Sequence, residues 1–150
     1  MRALQRCIGL AAALLCLEAS AQPLAPGKDI FKGKVKEGLY EMKTEHDMSG
    51  VPGIPKEAQK GSQTRQRCIS KEEIERGMQA GKDCQVKSLK DAGATSMLRM
   101  ECIDGTATDM KMTFAPGGYT SEMTTSGKQD GKPFRSVFRS TAKYLGACKS

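Results

Sequence analysis

Residues 84–102 read CQVKSLKDAGATSMLRMEC. Two short runs of alternating apolar and polar residues flank DAGAT, where Gly93 supplies the break of a hairpin. Folded about Gly93, the segment sets Cys84 opposite Cys102, Val86 opposite Met100 and Ser88 opposite Leu98. Facing cysteines at the open end of a hairpin form a cross-strand disulfide. The rest of the chain reads as strands added to this clip.

The strands that follow keep its parity. Ile103-Asp104-Gly105 suits a three-residue turn with glycine in the left-handed position. Met100 then pairs with Thr108, and Leu98 with Met110. The next strand carries Thr108, Met110, Met112 and Phe114 on one face. Ala115 to Gly118 turn it back, so that Phe114 meets Tyr119 and Met110 meets Met123. A polar connection, SGKQDGKP (126–133), leads to a last strand in which Phe134, Phe138, Ala142, Tyr144 and Cys148 alternate with Arg135, Arg139 and Lys143. One face stays apolar throughout, and a slip of one residue in any turn would scramble it.

Upstream, Tyr40, Met42, Thr44, His46 and Met48 alternate with Leu39, Glu41, Lys43, Glu45 and Asp47, the pattern of a half-buried strand. The Pro- and Gly-bearing stretch 49–61 is a loop, and Ser62–Ile69 (SQTRQRCI) is a polar strand at an edge. Ser70 with Glu73 makes a capping box, and Ile69 with Ile74 the matching hydrophobic staple. The helix so begun carries Ile74 and Met78 on one stripe, is weakened at Gly77 and stops at Gly81. The predicted fold is mainly β. It is a curled, up-and-down antiparallel sheet of about seven strands, a barrel or half-barrel, with one short helix near an opening.

Residues 1–21 carry the marks of an export signal: Arg2 and Arg6, an apolar run from Cys7 to Leu17, and Ala19-Ser20-Ala21 before the cut. The run is too short to span a bilayer, which takes about 20 residues, and Leu15 before Cys16 does not fit a lipoprotein signal. Residues 22–36 (QPLAPGKDIFKGKVK) read as a flexible leader with Ile30 and Phe31 tucked onto the domain edge, and 37–148 as a single β domain. The protein is expected in the periplasm or secreted, with no transmembrane segment. Past the signal, Cys68, Cys84, Cys102 and Cys148 remain, most simply two disulfides. With Cys84 joined to Cys102, the other bond is Cys68–Cys148, which ties the edge strand to the end of the last one. A Cys68–Cys84 bond around the helix is the competing connectivity.

The order of these features is similar to a known family: an export signal, KEGLYE at Lys36–Glu41, and a Met-, Pro- and Gly-bearing loop at Met48–Pro55. A helix start at Cys68, Ser70 and Glu72 follows, then a Cys hairpin, the Met/Thr strands MKMTF and TSEMTTSG, and a closing G-x-C at Gly146–Cys148. The chain resembles the exported bacterial proteins grouped as domain of unknown function 3617, over residues 35–148. Tyr40 stands where that family more often has Trp. The resemblance implies export and a small disulfide-clipped fold, and carries over no activity and no catalytic residue.

Composition excludes several classes. There is one histidine, His46, and its neighbours Glu45 and Asp47 point to the opposite side of a strand. No CxxC or HxxxH spacing for zinc, no Gly-rich phosphate loop and no serine elbow occurs. An enzyme is therefore not expected, nor a cofactor, nor nucleic acid as a partner. The reading is a non-catalytic binding or structural component of the periplasm or cell envelope, holding a small apolar ligand in a Met-lined curled sheet. Met100, Phe114, Tyr119 and Phe138 are the lining candidates. One alternative is a Cu(I) site of soft thioethers and imidazole from Met110, Met112, Met123, His46 and Met48; the plainer view is that methionine fills a core poor in aromatics. Another is that Arg65, Arg67, Lys87, Lys111, Arg135, Arg139 and Lys143, on the outer face of the sheet in a chain of net charge +7, hold an anionic envelope component.

Overall fold

Alternation of apolar and polar side chains with period two, broken by Gly- and Asp-bearing turns, folds the chain into strands rather than helices. The computed structural model describes residues 30–148, so the expected export signal (1–21) and the first part of the expected leader lie outside the described residues. Seven strands follow one another: β1 (Gly38–Asp47), β2 (Lys60–Ile69), β3 (Cys84–Ala92), β4 (Thr95–Cys102), β5 (Ala107–Ala115), β6 (Gly118–Gln129) and β7 (Lys132–Gly146). A 3-10 turn at Lys56–Ala58 precedes β2, and one short helix, α1 (Lys71–Arg76), lies between β2 and β3. All strands join one antiparallel curled sheet in the order β2-β1-β7-β6-β5-β4-β3.

The sheet is not closed. β2 and β3 remain edges, so the barrel form of the expectation gives way to the half-barrel. After six antiparallel steps the two edge strands run in the same direction, so no antiparallel ladder can join them. The chain crosses from edge to edge through residues 70–83, with α1 on the way.

The registers agree with the sequence at Cys84–Cys102, Val86–Met100, Leu98–Met110, Phe114–Tyr119 and Met110–Met123. One pairing differs: Leu98 faces Leu89, not Ser88. The β3–β4 turn has two residues, Gly93-Ala94, with Gly93 at φ 66°, which shifts the upper pairs by one position. A bulge between Val86 and Ser88 absorbs Lys87 and restores the lower pairs, so Cys84 still meets Cys102. The SGKQDGKP stretch is likewise not a loop. β6 runs to Gln129 and β7 starts at Lys132, around Asp130 and Gly131 at φ 53° and 76°. Positive φ at both central positions is the two-residue turn that Asp-Gly favours.

α1 starts as read. The Glu73 amide donates to the Ser70 hydroxyl at 3.2 Å, and the Ser70 amide donates to the Glu73 carboxylate at 3.0 Å. It ends sooner: Gly77, at φ 62°, is its C-cap, and its amide donates back to the Glu73 and Ile74 carbonyls. Met78 therefore lies beyond the helix rather than on its stripe.

Two joined cores line the concave face. Ile30, Leu98, Met112 and Phe114 form one, and Tyr40, Ile69 and Ala142 the other, with Val35 and Tyr119 packed against both. Residues 30–36, the described part of the stretch 22–36, lie against these cores through Ile30, Phe31 and Val35. Ile30 is 2% exposed, among the most buried side chains of the fold, and burial of an isoleucine contributes about 2 kcal/mol. Lys34 latches the same segment: its ammonium donates to the fully buried Ser96 hydroxyl at 3.0 Å, pairs with Asp91 and lies 5.1 Å from the centre of the Phe114 ring. The segment is part of the domain because it covers a concave face that the sheet leaves open.

Candidate functional site

Where the N-terminal segment, β2, α1 and β6 come together they leave a cleft of about 250 Å³. Phe31, Val35, Ile69, Ile74 and Tyr119 are its apolar walls, and Arg67, Glu73, Arg76 and Gly77 complete the lining. Each wall has a local cause. Ile69 and Ile74 flank the cap of α1, so the staple that starts the helix also furnishes one side of the cleft. Tyr119 follows the Pro116-Gly117 turn and faces Phe114 across β5–β6. Its ring centre lies 6.2 Å from those of Phe31, Tyr40 and Phe114.

The phenols of buried Tyr40 and half-buried Tyr119 are used differently. Tyr40 donates its hydroxyl proton to the Lys36 carbonyl at 2.9 Å, fastening the N-terminal segment to β1. The Tyr119 hydroxyl makes no hydrogen bond among the described residues. Burial, followed by the proximity of Tyr40, raises the Tyr119 phenol above its ordinary range, so it stays a neutral donor at physiological pH. Arg67 projects to the concave side because its position on β2 pairs with Tyr40. Glu73 braces it: one carboxylate oxygen accepts the Ser70 amide and the other accepts from the Arg67 guanidinium. The Ser70 amide, first, and then Arg67 hold the Glu73 carboxyl below its ordinary range.

The residues singled out from sequence fall in separate places. Cys84–Cys102 and Cys68–Cys148 are both bonded, with Cα–Cα separations of 3.9 and 5.7 Å; such bonds fit an oxidising compartment. Cys148 lies just past the end of β7 rather than within it. Of the four lining candidates, only Tyr119 borders the cleft; Met100 and Phe114 belong to the packed core, and Phe138 sits at the other end of the sheet beside His46, ring centres 6.1 Å apart. Of the thioether candidates, Met110 and Met123 are directly opposite on β5 and β6, and Met112 is buried two residues along. Phe138 stands between Met123 and His46 in the sheet, and Met48 lies past the end of β1.

The basic residues do not share one face. Arg65 and Arg67 pair with Met42 and Tyr40 and therefore lie on the concave side at the edge, a correction to their outer placement. On the convex side, cations alternate with acids across the strands. Lys111, Glu122, Arg139 and Glu45 follow one another in register, with Arg139 2.6 Å from Glu122. Arg99 bonds Asp109 at 2.9 Å, and Lys60 lies 3.2 Å from Asp47.

The cleft lining was only half visible in the sequence. The staple marks Ile69 and Ile74, but Ser62 to Arg67 are polar on both faces, so alternation within them marks no inward side and only Ile69, two residues on, points to the one Arg67 takes. No helix among the described residues is long and apolar enough to cross a membrane, and no group of three or more His, Cys, Asp or Glu able to hold a metal occurs among them.

Residues 35–148 match the family described as protein of unknown function (DUF3617), and the chain belongs to that family. No curated protein and no solved structure matches it.

Proposed function

We propose that this DUF3617 member is a non-catalytic binding component of the periplasm or cell envelope, and that it takes a small, largely apolar ligand into the cleft beside α1. The observation that carries the reading is the cleft itself: five apolar walls around about 250 Å³, open at a rim of polar groups. Ligand sites are concave and mostly apolar with a few placed polar groups, at volumes from about 300 Å³ upward. A slightly smaller cleft suits a compact molecule or the end of one short alkyl chain. The Met-lined part of the concave face contributes packing rather than walls, since Met100 and Met110 lie against the buried core. The alternation of charge on the convex side favours the cleft over a basic outer surface as the working site.

The test is direct. Octanol titrated into the purified protein is expected to give saturable heat and to displace an environment-sensitive apolar dye. Replacement of Ile74 by Arg, which puts a charge into the wall, is expected to abolish both. If neither octanol nor octanoate binds or displaces dye in the unaltered protein, the proposal is wrong.

A further inference from the structure

We infer that the ligand is an amphipathic anion, an alkyl chain ending in a carboxylate or phosphate, whose charged end is held at the rim by Arg76 and Arg67. The inference rests on the cleft being a binding site and adds the class of molecule it takes. Two guanidinium groups and one carboxylate line the rim, so its charge is net positive while the floor is apolar. The carboxylate is already engaged, since both Glu73 oxygens are occupied, one by the Ser70 amide and one by Arg67. Arg67 is thereby held in place by a helix cap, and Glu73 acts as its positioning residue. A guanidinium has five N–H donors, and one bond to Glu73 leaves others free to point at a ligand.

Arg76 stands in the last turn of α1, and no ion pair to it is found among the described residues. Arginine forks match carboxylate and phosphate oxygens two at a time, with charge-assisted bonds about twice as strong as neutral ones. The neutral Tyr119 phenol adds a donor in the cleft wall. Buried and half-buried apolar walls and a phenol, with two exposed guanidinium groups beside them, suit a molecule with a tail and an anionic head. A neutral alcohol would leave the arginines unused, and a cation would meet two like charges.

Isothermal titration with octanoate, octyl phosphate, octanol and octyltrimethylammonium tests this on the full exported chain. The anions are expected to bind at least about tenfold more tightly than octanol, a margin that shrinks with added salt. In Arg76→Gln, whose side chain is exposed and whose fold is checked by circular dichroism, that margin should fall to threefold or less, and a margin kept at tenfold overturns the role of Arg76. The better of octanoate and octyl phosphate identifies the head group. Octanol binding as tightly as the anions, or octyltrimethylammonium binding better, overturns the inference and leaves the apolar cleft standing. If none of the four binds, the cleft reading falls with it.

Discussion

Asp47 ends β1 and anchors the loop that follows. Its carboxylate accepts from the Ser49 hydroxyl and amide, the latter at 3.0 Å, and faces Lys60 at 3.2 Å across the β1–β2 ladder. These bonds, the Ser49 hydroxyl first, lower its pKa to about 2. A depressed carboxylate contributes stability that is fully present above its unfolded value and is lost as pH falls through the folded one. The loop is therefore expected to stay pinned at pH 4 and to loosen only as pH approaches about 2. A carbon-detected NMR titration of Asp47 checks this; a midpoint near the ordinary value of 3.8 would show that Ser49 and Lys60 do not hold it. At the same scale the His46 ring packs over Gly61, where an added Cβ would come within 2.5 Å of it, and beside Phe138.

Among the elements, the β3–β4 hairpin shows what pattern reading reaches and where it stops. Turn chemistry and alternation place Cys84 against Cys102, because both ends of that inference are local. VKSLK, however, fits the core with Ser88 or with Leu89 inward, and only the two-residue turn at Gly93 selects Leu89. The extra residue is Lys87. Deleting it should therefore straighten the strand without changing any other pair. The variant is expected to keep the Cys84–Cys102 bond and a melting temperature close to the parent's. It should also lose the kink that guards this edge, and bulges are one of the devices that keep free edges from pairing. Sedimentation velocity would then show association rising with concentration. Loss of the disulfide in the deletion variant would mean that Lys87 sets the register rather than absorbing a surplus. The seat of Ile30 was legible only in outline: one apolar pair, Ile30-Phe31, amid Pro, Gly and Lys marks a contact with the domain, and only the open concave face shows how deep it goes.

For the whole molecule, the two disulfides differ in span. Cys68–Cys148 joins residues 80 apart in sequence and Cys84–Cys102 residues 18 apart. In the chain-entropy account these loops correspond to about 4.5 and about 3 kcal/mol of stability. Replacing Cys68 and Cys148 by alanine is thus expected to lower the free energy of unfolding in urea by about 1 kcal/mol more than replacing Cys84 and Cys102. Equal losses would show that the long clip does not restrain the unfolded chain. The sequence made both bonds legible because one pair faces across a hairpin and the other two cysteines remain, whereas the seating of β1 beside β7 left no local mark.

That seating gives the sheet a seam. From β3 through β7 every neighbour in space is the next strand in the chain, and β1–β2 is likewise a self-contained hairpin. Between the two blocks, Tyr40 must find Tyr144. The fold is a seven-strand meander read from the wrong page: begun at β3 and carried past β7 into β1 and β2, it would run through the sheet without a jump. Assembly thus separates into five strands that build by short closures, two that build alone, and one long-range docking step. The Cys68–Cys148 bond spans that docking line from β2 to the end of β7, with β1 between, so oxidation turns a late encounter between two blocks into a permanent join.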